Sequence, residues 1–364
     1  MKKSFITAAS LAVAVCMAVS LFAAPVFAAS GKKIPTSKSE SSWWGSYWEK
    51  QFSTKYKVKK GNVVKVTTKN YSGNKVSNTV VEQLKYKKNH LLEDKTLFAL
   101  KNGNLKQEDK TVYKYNKKGL RKSKAYYDDK NKLDWITYYK YRSGRLIKET
   151  CKAYVKKKKK TVAVVKYKYN QKGKCTSETY IGYDSDTGKE SYRETEQYTY
   201  DRKGRMTGHR YTVKDAEGRS VRNESYNTKG KITKIEWTGN GEVHTVTYSY
   251  DSKGRITGVI TVKKDNDSNY TWKTTITQWD QKGNPAAYTE VCSDGSVDEY
   301  KFEHTYKNGN LVSLVSYRKE DGQTEFEKLE KYEYGGYKTV KKASARLYAD
   351  DYLDVLANVY RLGK

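Results

Sequence analysis

Residues 198–208 read YTYDRKGRMTG and residues 248–258 read YSYDSKGRITG. An eleven-residue phrase written twice constrains this chain more than any other feature, because a repeated unit poses the same folding problem at each occurrence and must solve it against its neighbours. Close copies start at Tyr113 (YKYNKKGLR) and Tyr167 (YKYNQKGKC), and looser ones at Tyr139, Tyr226, Trp279, Tyr306 and Tyr332. Lesser turn signals at Gly188, Gly218, Gly241, Gly295 and Gly322 fall between them. For most of the chain beyond Gly173 a glycine turn comes every 11 to 16 residues, which suits a strand, a tight turn and the next strand.

The intervening segments alternate with period two. Val246, Tyr248 and Tyr250 share one side of their segment and Thr245, Thr247 and Ser249 the other, as in a strand rather than a helix. Each position of the phrase then has a structural use. Tyr198 with Tyr200, and Tyr248 with Tyr250, line one sheet face. Asp201 and Asp251 close a hairpin turn, and Gly204 and Gly254 take a backbone conformation that a β-carbon disfavours. Arg205 and Arg255 are expected to lie across tyrosine rings of a neighbouring hairpin. With 34 tyrosines and few aliphatic residues, the chain suits a pleated, half-wet sheet better than a helix bundle.

The phrase resembles the YD repeat of the RHS-repeat family over roughly residues 50–340. The resemblance implies hairpins building a curling sheet, which the largest members of that family close into a shell around a passenger domain. This chain is much shorter than those members and has no room for a toxin after residue 340. The expected fold is therefore mostly β: an antiparallel hairpin-repeat meander, open or partly coiled, with a C-terminal α-helix as cap.

The ends differ from the middle. Lys2 and Lys3, the apolar run Phe5–Phe27 and the small residue Ala28 read as an export signal over residues 1–28. Residues 29–49, with Trp43, Trp44, Tyr47 and Trp48, read as a polar linker or a cap on the first strands. Residues 50–340 form the repeat domain. Residues 341–364 place Tyr348, Tyr352, Val355, Leu356, Val359 and Tyr360 on one helical face. No later stretch is apolar enough to span a bilayer as a helix.

Charge divides the repeat domain. Residues 31–180 hold 40 lysines and arginines against 12 acidic residues, whereas residues 181–364 hold 30 against 29. The domain thus has a basic part, 50–180, and a neutral part, 181–340. The basic part contains Lys156, Lys157, Lys158, Lys159 and Lys160, followed by Lys166 and Lys168, and these seven are the candidate contacts for a polyanion. An anionic cell-wall polymer or polysaccharide is the expected partner, with no specific nucleic acid, and exposed strand edges offer a route to self-association.

Chemistry is harder to find. His90, His209, His244 and His304 show no metal-ligand spacing, and no nucleophile elbow, phosphate loop or HExxH helix occurs. No cofactor or catalytic residue is assigned. Asp184, Asp186 and Glu190, and Asp265, Asp267 and Asn269, lie in short acidic stretches, but neither continues into a twelve-residue calcium loop with its closing glutamate; in the second, Ile276 stands there. Cys151 and Cys175, about one repeat apart, are the pair to test for a disulfide. The expectation is a secreted, non-catalytic repeat protein acting in adhesion or scaffolding at the bacterial exterior. A carbohydrate-binding module using exposed Tyr and Trp, or a remnant of a toxin-delivering shell, stands beside it.

Overall fold

The computed structural model describes residues 32–340 except 88, 89, 101, 156, 157, 217 and 265–268. The export segment 1–28 and the C-terminal helix expected over 341–364 lie outside the described residues. Every described element is a strand. The first half of the chain supplies β1 (Lys32–Trp43), β2 (Trp48–Lys59), β3 (Asn62–Ser72), β4 (Lys75–Lys87), β5 (His90–Ala99), β6 (Leu105–Tyr115), β7 (Arg121–Tyr127), β8 (Leu133–Arg142), β9 (Arg145–Val155) and β10 (Lys158–Tyr169). The middle supplies β11 (Cys175–Tyr183), β12 (Glu190–Tyr200), β13 (Met206–Asp215), β14 (Gly218–Tyr226), β15 (Ile232–Gly239) and β16 (Glu242–Tyr250). The remainder are β17 (Ile256–Lys264), β18 (Asn269–Trp279), β19 (Pro285–Cys292), β20 (Val297–Lys307), β21 (Asn310–Lys319) and β22 (Glu327–Val340).

Each strand pairs antiparallel with the next, so the meander is as expected. The sheet is not open, however. β1 lies between β2 and β22, with Ser39 opposite both Ser53 and Glu333, and this closes a 22-stranded antiparallel barrel. Residues 32–43, read as linker or cap, are thus the strand that completes the ring. Their Ser- and Lys-rich composition hides this, because what holds them is two flanking ladders rather than an apolar stripe. Closure also removes the free edges expected to mediate self-association: among the described strands, each has two neighbours.

One face of the wall is continuous around the ring and carries the phrase tyrosines. Its buried clusters draw on neighbouring strands: Tyr288, Tyr300, Phe302, Leu314 and Tyr332 across β19–β22, Tyr56, Val63, Val66 and Leu84 across β2–β4, and Trp135, Val165, Tyr167 and Tyr180 across β8–β11. A closed single-layer wall crowds the side chains of its concave side and spreads those of its convex side, so this buried face is the inward one. Burying tyrosines and tryptophans edge to edge stands in for the missing aliphatic core; Tyr288 stacks on Tyr300 at 4.5 Å, and Tyr126 on Trp135 at 5.3 Å.

The two classes of turn segregate. Strict alternation of strand direction sends the phrase turns, at 116–120, 170–174, 201–205, 227–231, 251–255 and 280–284, to one rim. The lesser turns all fall at the opposite rim. The repeat unit is therefore a pair of strands, and Lys32 and Val340, which pair with each other, stand at the phrase rim.

A basic outer wall and an acidic inner belt

At the phrase rim the Asx residue organises the hairpin. Asp201 Oδ1 accepts the Arg205 amide at 2.8 Å, the Gly204 amide donates to the Asp201 carbonyl at 2.9 Å, and Gly204 takes φ 77°. Asp251, Arg255 and Gly254 (φ 79°) repeat this, and the ladder shifts register at Tyr200 and Tyr250, as a type I turn with a glycine bulge requires. Arg255 lies 4.5 Å from a ring of the next hairpin, but the ring is that of Trp279 and not of a tyrosine. Both arginines pair with the Asx carboxylate of their own turn at 2.7 Å, Arg205 with Asp201 and Arg255 with Asp251, but Arg205 lies over no ring among the described residues and donates to the Thr228 carbonyl instead.

The second tyrosine of the phrase has a use that its sequence does not reveal. Tyr200 Oη donates to the Cys175 carbonyl at 2.8 Å, Tyr169 to Leu146 at 2.7 Å, Tyr115 to Leu91 at 2.8 Å and Tyr250 to Ile232 at 2.6 Å. In each case the carbonyl lies beyond the last ladder pair, for example beyond Ser177 opposite Gln197. The hydroxyl satisfies a carbonyl that diverging strands leave without an amide partner, and so ties each repeat to the one before. Fixed sequence separations of 23 to 25 residues between hydroxyl and carbonyl at three of these ties were the available signal.

The candidate lysines divide between the two faces. Lys156 and Lys157 lie outside the described residues. Lys160, opposite Ala153, faces inward at the rim and donates to the Ser185 carbonyl at 2.7 Å; Lys158 shares its face. Lys159 faces outward, opposite Tyr154, and donates to Tyr138 Oη at 2.7 Å while lying 5.1 Å from that ring. Lys166 and Lys168, exposed, flank Tyr167 on the outward face near the far end of β10. The run is thus spread along a strand and does not form one cluster.

Clusters form across strands instead. Lys166 stands opposite Lys148, which stands opposite Lys140, giving a row over β10, β9 and β8. A second row runs Lys57, Lys65, Gln83, Lys95 and Lys110 over β2 to β6. Like charges directly opposite on a sheet are unfavourable. Some outward cations are paired: in the second row Lys95 lies 3.7 Å from Glu93, and in the neutral part Lys319 pairs with Glu299 at 2.5 Å and Lys331 with Glu333 at 2.9 Å. No ion pair among the described residues involves Lys140, Lys148 or Lys166.

The inward face carries the carboxylates. Glu149, Glu178, Glu194, Glu196 and Glu224 lie on β9, β11, β12 and β14 among the tyrosines, with Glu178 directly opposite Glu196. Tyr167 donates to Glu149 at 2.8 Å and Tyr226 to Glu224 at 2.6 Å. His209 bridges the belt, Nε2 to Glu196 and Nδ1 to Glu224, each at 3.2 Å, and stacks on Tyr198 at 4.7 Å. Burial opposes charge on His209, but hydrogen bonds to both carboxylates outweigh it and raise its pKa to about 9. Glu224, also opposed by burial, is pulled down to about 2 by His209 and Tyr226. Burial, with Glu196 alongside, pushes Glu178 up to about 8, and burial raises Asp94 on β5 to about 7.

Other candidates resolve into structure. Asp184 Oδ1 accepts the amides of Asp186 and Thr187, at 3.1 and 2.7 Å, and closes its own hairpin. Asp265 and Asp267 lie outside the described residues, and among those residues no group of three or more His, Cys, Asp or Glu side chains could hold a metal ion. Cys151 on β9 and Cys175 on β11 are thiols rather than a disulfide. β10 lies between them, and Cys151 pairs with Ala163 whereas Cys175 pairs with Tyr169. Two strand spacings of ~4.8 Å already exceed disulfide reach.

Neither a protein-family model nor a curated protein matches the chain. Among solved structures it is similar to TcdB2-TccC3-TEV, at 12% identity and a TM-score of 0.23, over 84% of this chain and 23% of that one. It thus spans less than a quarter of the length of that structure. It is also similar to a porin-like protein from Bacteroides uniformis (12% identity, TM-score 0.29, 66% of this chain and 94% of that one). A porin-like protein from Bacteroides vulgatus gives 10% identity and a TM-score of 0.27, over 84% and 99%.

Proposed function

We propose that this chain is a secreted, non-catalytic YD-type repeat barrel that holds anionic cell-wall or host polymers on its basic outer wall, acting in adhesion or scaffolding at the bacterial exterior. The observation that carries the reading is the pair of cross-strand lysine rows. Register places Lys140, Lys148 and Lys166 side by side at a cost in repulsion, and a polymer with closely spaced negative charge removes that cost by lying across the row. A lipid-facing wall is a poor alternative. Lys95 and Lys110 stand mid-strand on the same outward face, and each lysine in a hydrocarbon band costs about 2–4 kcal/mol.

At one outward aromatic the neutral-glycan reading is weakened, because Lys159 already covers the Tyr138 ring. The YD-repeat assignment is supported by the phrase and by its turn, in which the recurring spacing of Asx and Gly matches a hydrogen-bonding role for each.

Retention on isolated bacterial walls, with and without teichoic acid and across a salt series, tests the reading. Loss of retention on teichoic-acid removal or added salt is expected; retention that survives both would transfer the function to the aromatic side chains.

A further inference from the structure

The rim opposite the phrase turns differs from the phrase rim in one respect: all but Tyr138 and Ile260 of the exposed large hydrophobic side chains among the described residues stand at or beside its turns. The β1–β2 turn holds Trp44 and Tyr47 at 60% and 51% exposure. Its geometry presents them, because Trp43 and Trp48 below pack edge to face at 5.2 Å and the Trp44 amide donates to the Tyr47 carbonyl at 3.0 Å. Leu100, between β5 and β6, is 46% exposed, with Phe98 and Leu105 beside it, and the β3–β4 and β9–β10 hairpins add Val76 and Tyr154.

Three of these hairpins belong to the basic part, and the β1–β2 turn lies just ahead of it. Lys75, Lys106, Lys158 and Lys159 are exposed at the same tips. Of the carboxylates nearby, Glu49 accepts the Gly73 amide at 2.6 Å, Asp128 accepts the amides of Lys130 and Lys132, and Asp129 lies 3.8 Å from Lys106 Nζ. From these observations we propose that the β1–β10 sector of this rim docks onto the surface of an anionic lipid bilayer.

The arrangement suits a bilayer better than another protein. Successive tips are separated by two strand spacings, ~10 Å, so they form separate apolar points rather than one groove, and each can enter a soft interface independently. Trp and Tyr favour that interface, and interspersed lysines favour anionic headgroups. A second copy set rim to rim would bring two basic sectors together. This surface is distinct from the lysine rows of the wall, so either assignment can fail alone.

The test uses protein lacking residues 1–28, whose apolar run would itself partition into lipid; all wall strands follow it. Cosedimentation with phosphatidylcholine vesicles containing phosphatidylglycerol is expected, and not with phosphatidylcholine alone. Brominated acyl chains should quench tryptophan emission, and Trp44→Phe should keep binding while losing most of that quenching. Trp44→Ser combined with Leu100→Ser should weaken partitioning about tenfold or more, since each withdraws a large apolar side chain from lipid. Lys140→Gln, Lys148→Gln and Lys166→Gln together should leave the quenching in place. Three results would overturn the proposal: no cosedimentation, cosedimentation without quenching, or binding equal on neutral vesicles. A concentration-dependent dimer abolished by the Trp44→Ser and Leu100→Ser pair would also overturn it, giving the rim to a second copy.

Discussion

His209 shows how single residues set the chemistry of the inner face. With both ring nitrogens aimed at carboxylates, it is held charged, and its folded pKa of about 9 lies above its ordinary 6.5. Its contribution to stability is therefore complete below pH 6.5 and is lost as pH rises to about 9; the shift corresponds to about 3 kcal/mol. Glu178 and Asp94, raised to about 8 and about 7, also withdraw stability as pH rises from 4.5 and 3.8 respectively. Glu224, depressed to about 2, acts oppositely and loses its contribution between pH 4.5 and 2. The melting temperature should accordingly peak in mildly acidic solution and fall toward pH 9, and His209→Gln should flatten the part of that fall above pH 6.5. A wild-type profile flat from pH 5 to 9 would refute the assignment. At the turns, Tyr200→Phe should cost about 1 kcal/mol by leaving the Cys175 carbonyl unsatisfied, and Gly254→Ala about 1 kcal/mol or more through its positive φ, both read from denaturant midpoints. The turn was legible in the sequence because Asx and Gly act within five residues. The tyrosine ties and the His209 bridge were not, because their partners lie on other strands and only the register brings them together.

Among the elements, the rows of lysine are created by pairing. Alternation in the sequence separated tyrosine from lysine faces, as in Tyr139–Lys140–Tyr141, but it could not say which lysine would face which. That depends on the bulges that shift each ladder by one residue, such as the one at Tyr141 between β8 and β9. The sequence drew the eye to the Lys156–Lys160 run, whose described members divide between inward and outward faces, while Lys140 and Lys148 drew none. Replacing Lys140, Lys148 and Lys166 with glutamine should raise the melting temperature slightly at low salt, by removing repulsion, and should reduce polyanion retention in the same protein. A fall in both would mean that the row is structural.

For the whole molecule, closure is the decisive feature, and it rests on the least conspicuous strand. The repeat predicted the meander but not the ring, since nothing in KKIPTSKSESSW marks it as the partner of a strand almost 300 residues away. Ser39→Pro removes the amide of a residue paired on both sides and should break the seam. The opened barrel would expose two long edges, and concentration-dependent self-association in sedimentation velocity should follow. A monomer of unchanged hydrodynamic size would show that the seam is dispensable.

The central claim is that register-built lysine rows on a closed wall bind polyanions, and the salt dependence of binding tests it most directly. The slope of log affinity for a teichoic-acid polymer against log salt should be steep for the wild type. It should fall by about two to three units in the Lys140→Gln, Lys148→Gln, Lys166→Gln protein, because a phosphate that no lysine neutralises keeps its own counterion. An unchanged slope in that protein, correctly folded, would contradict the account.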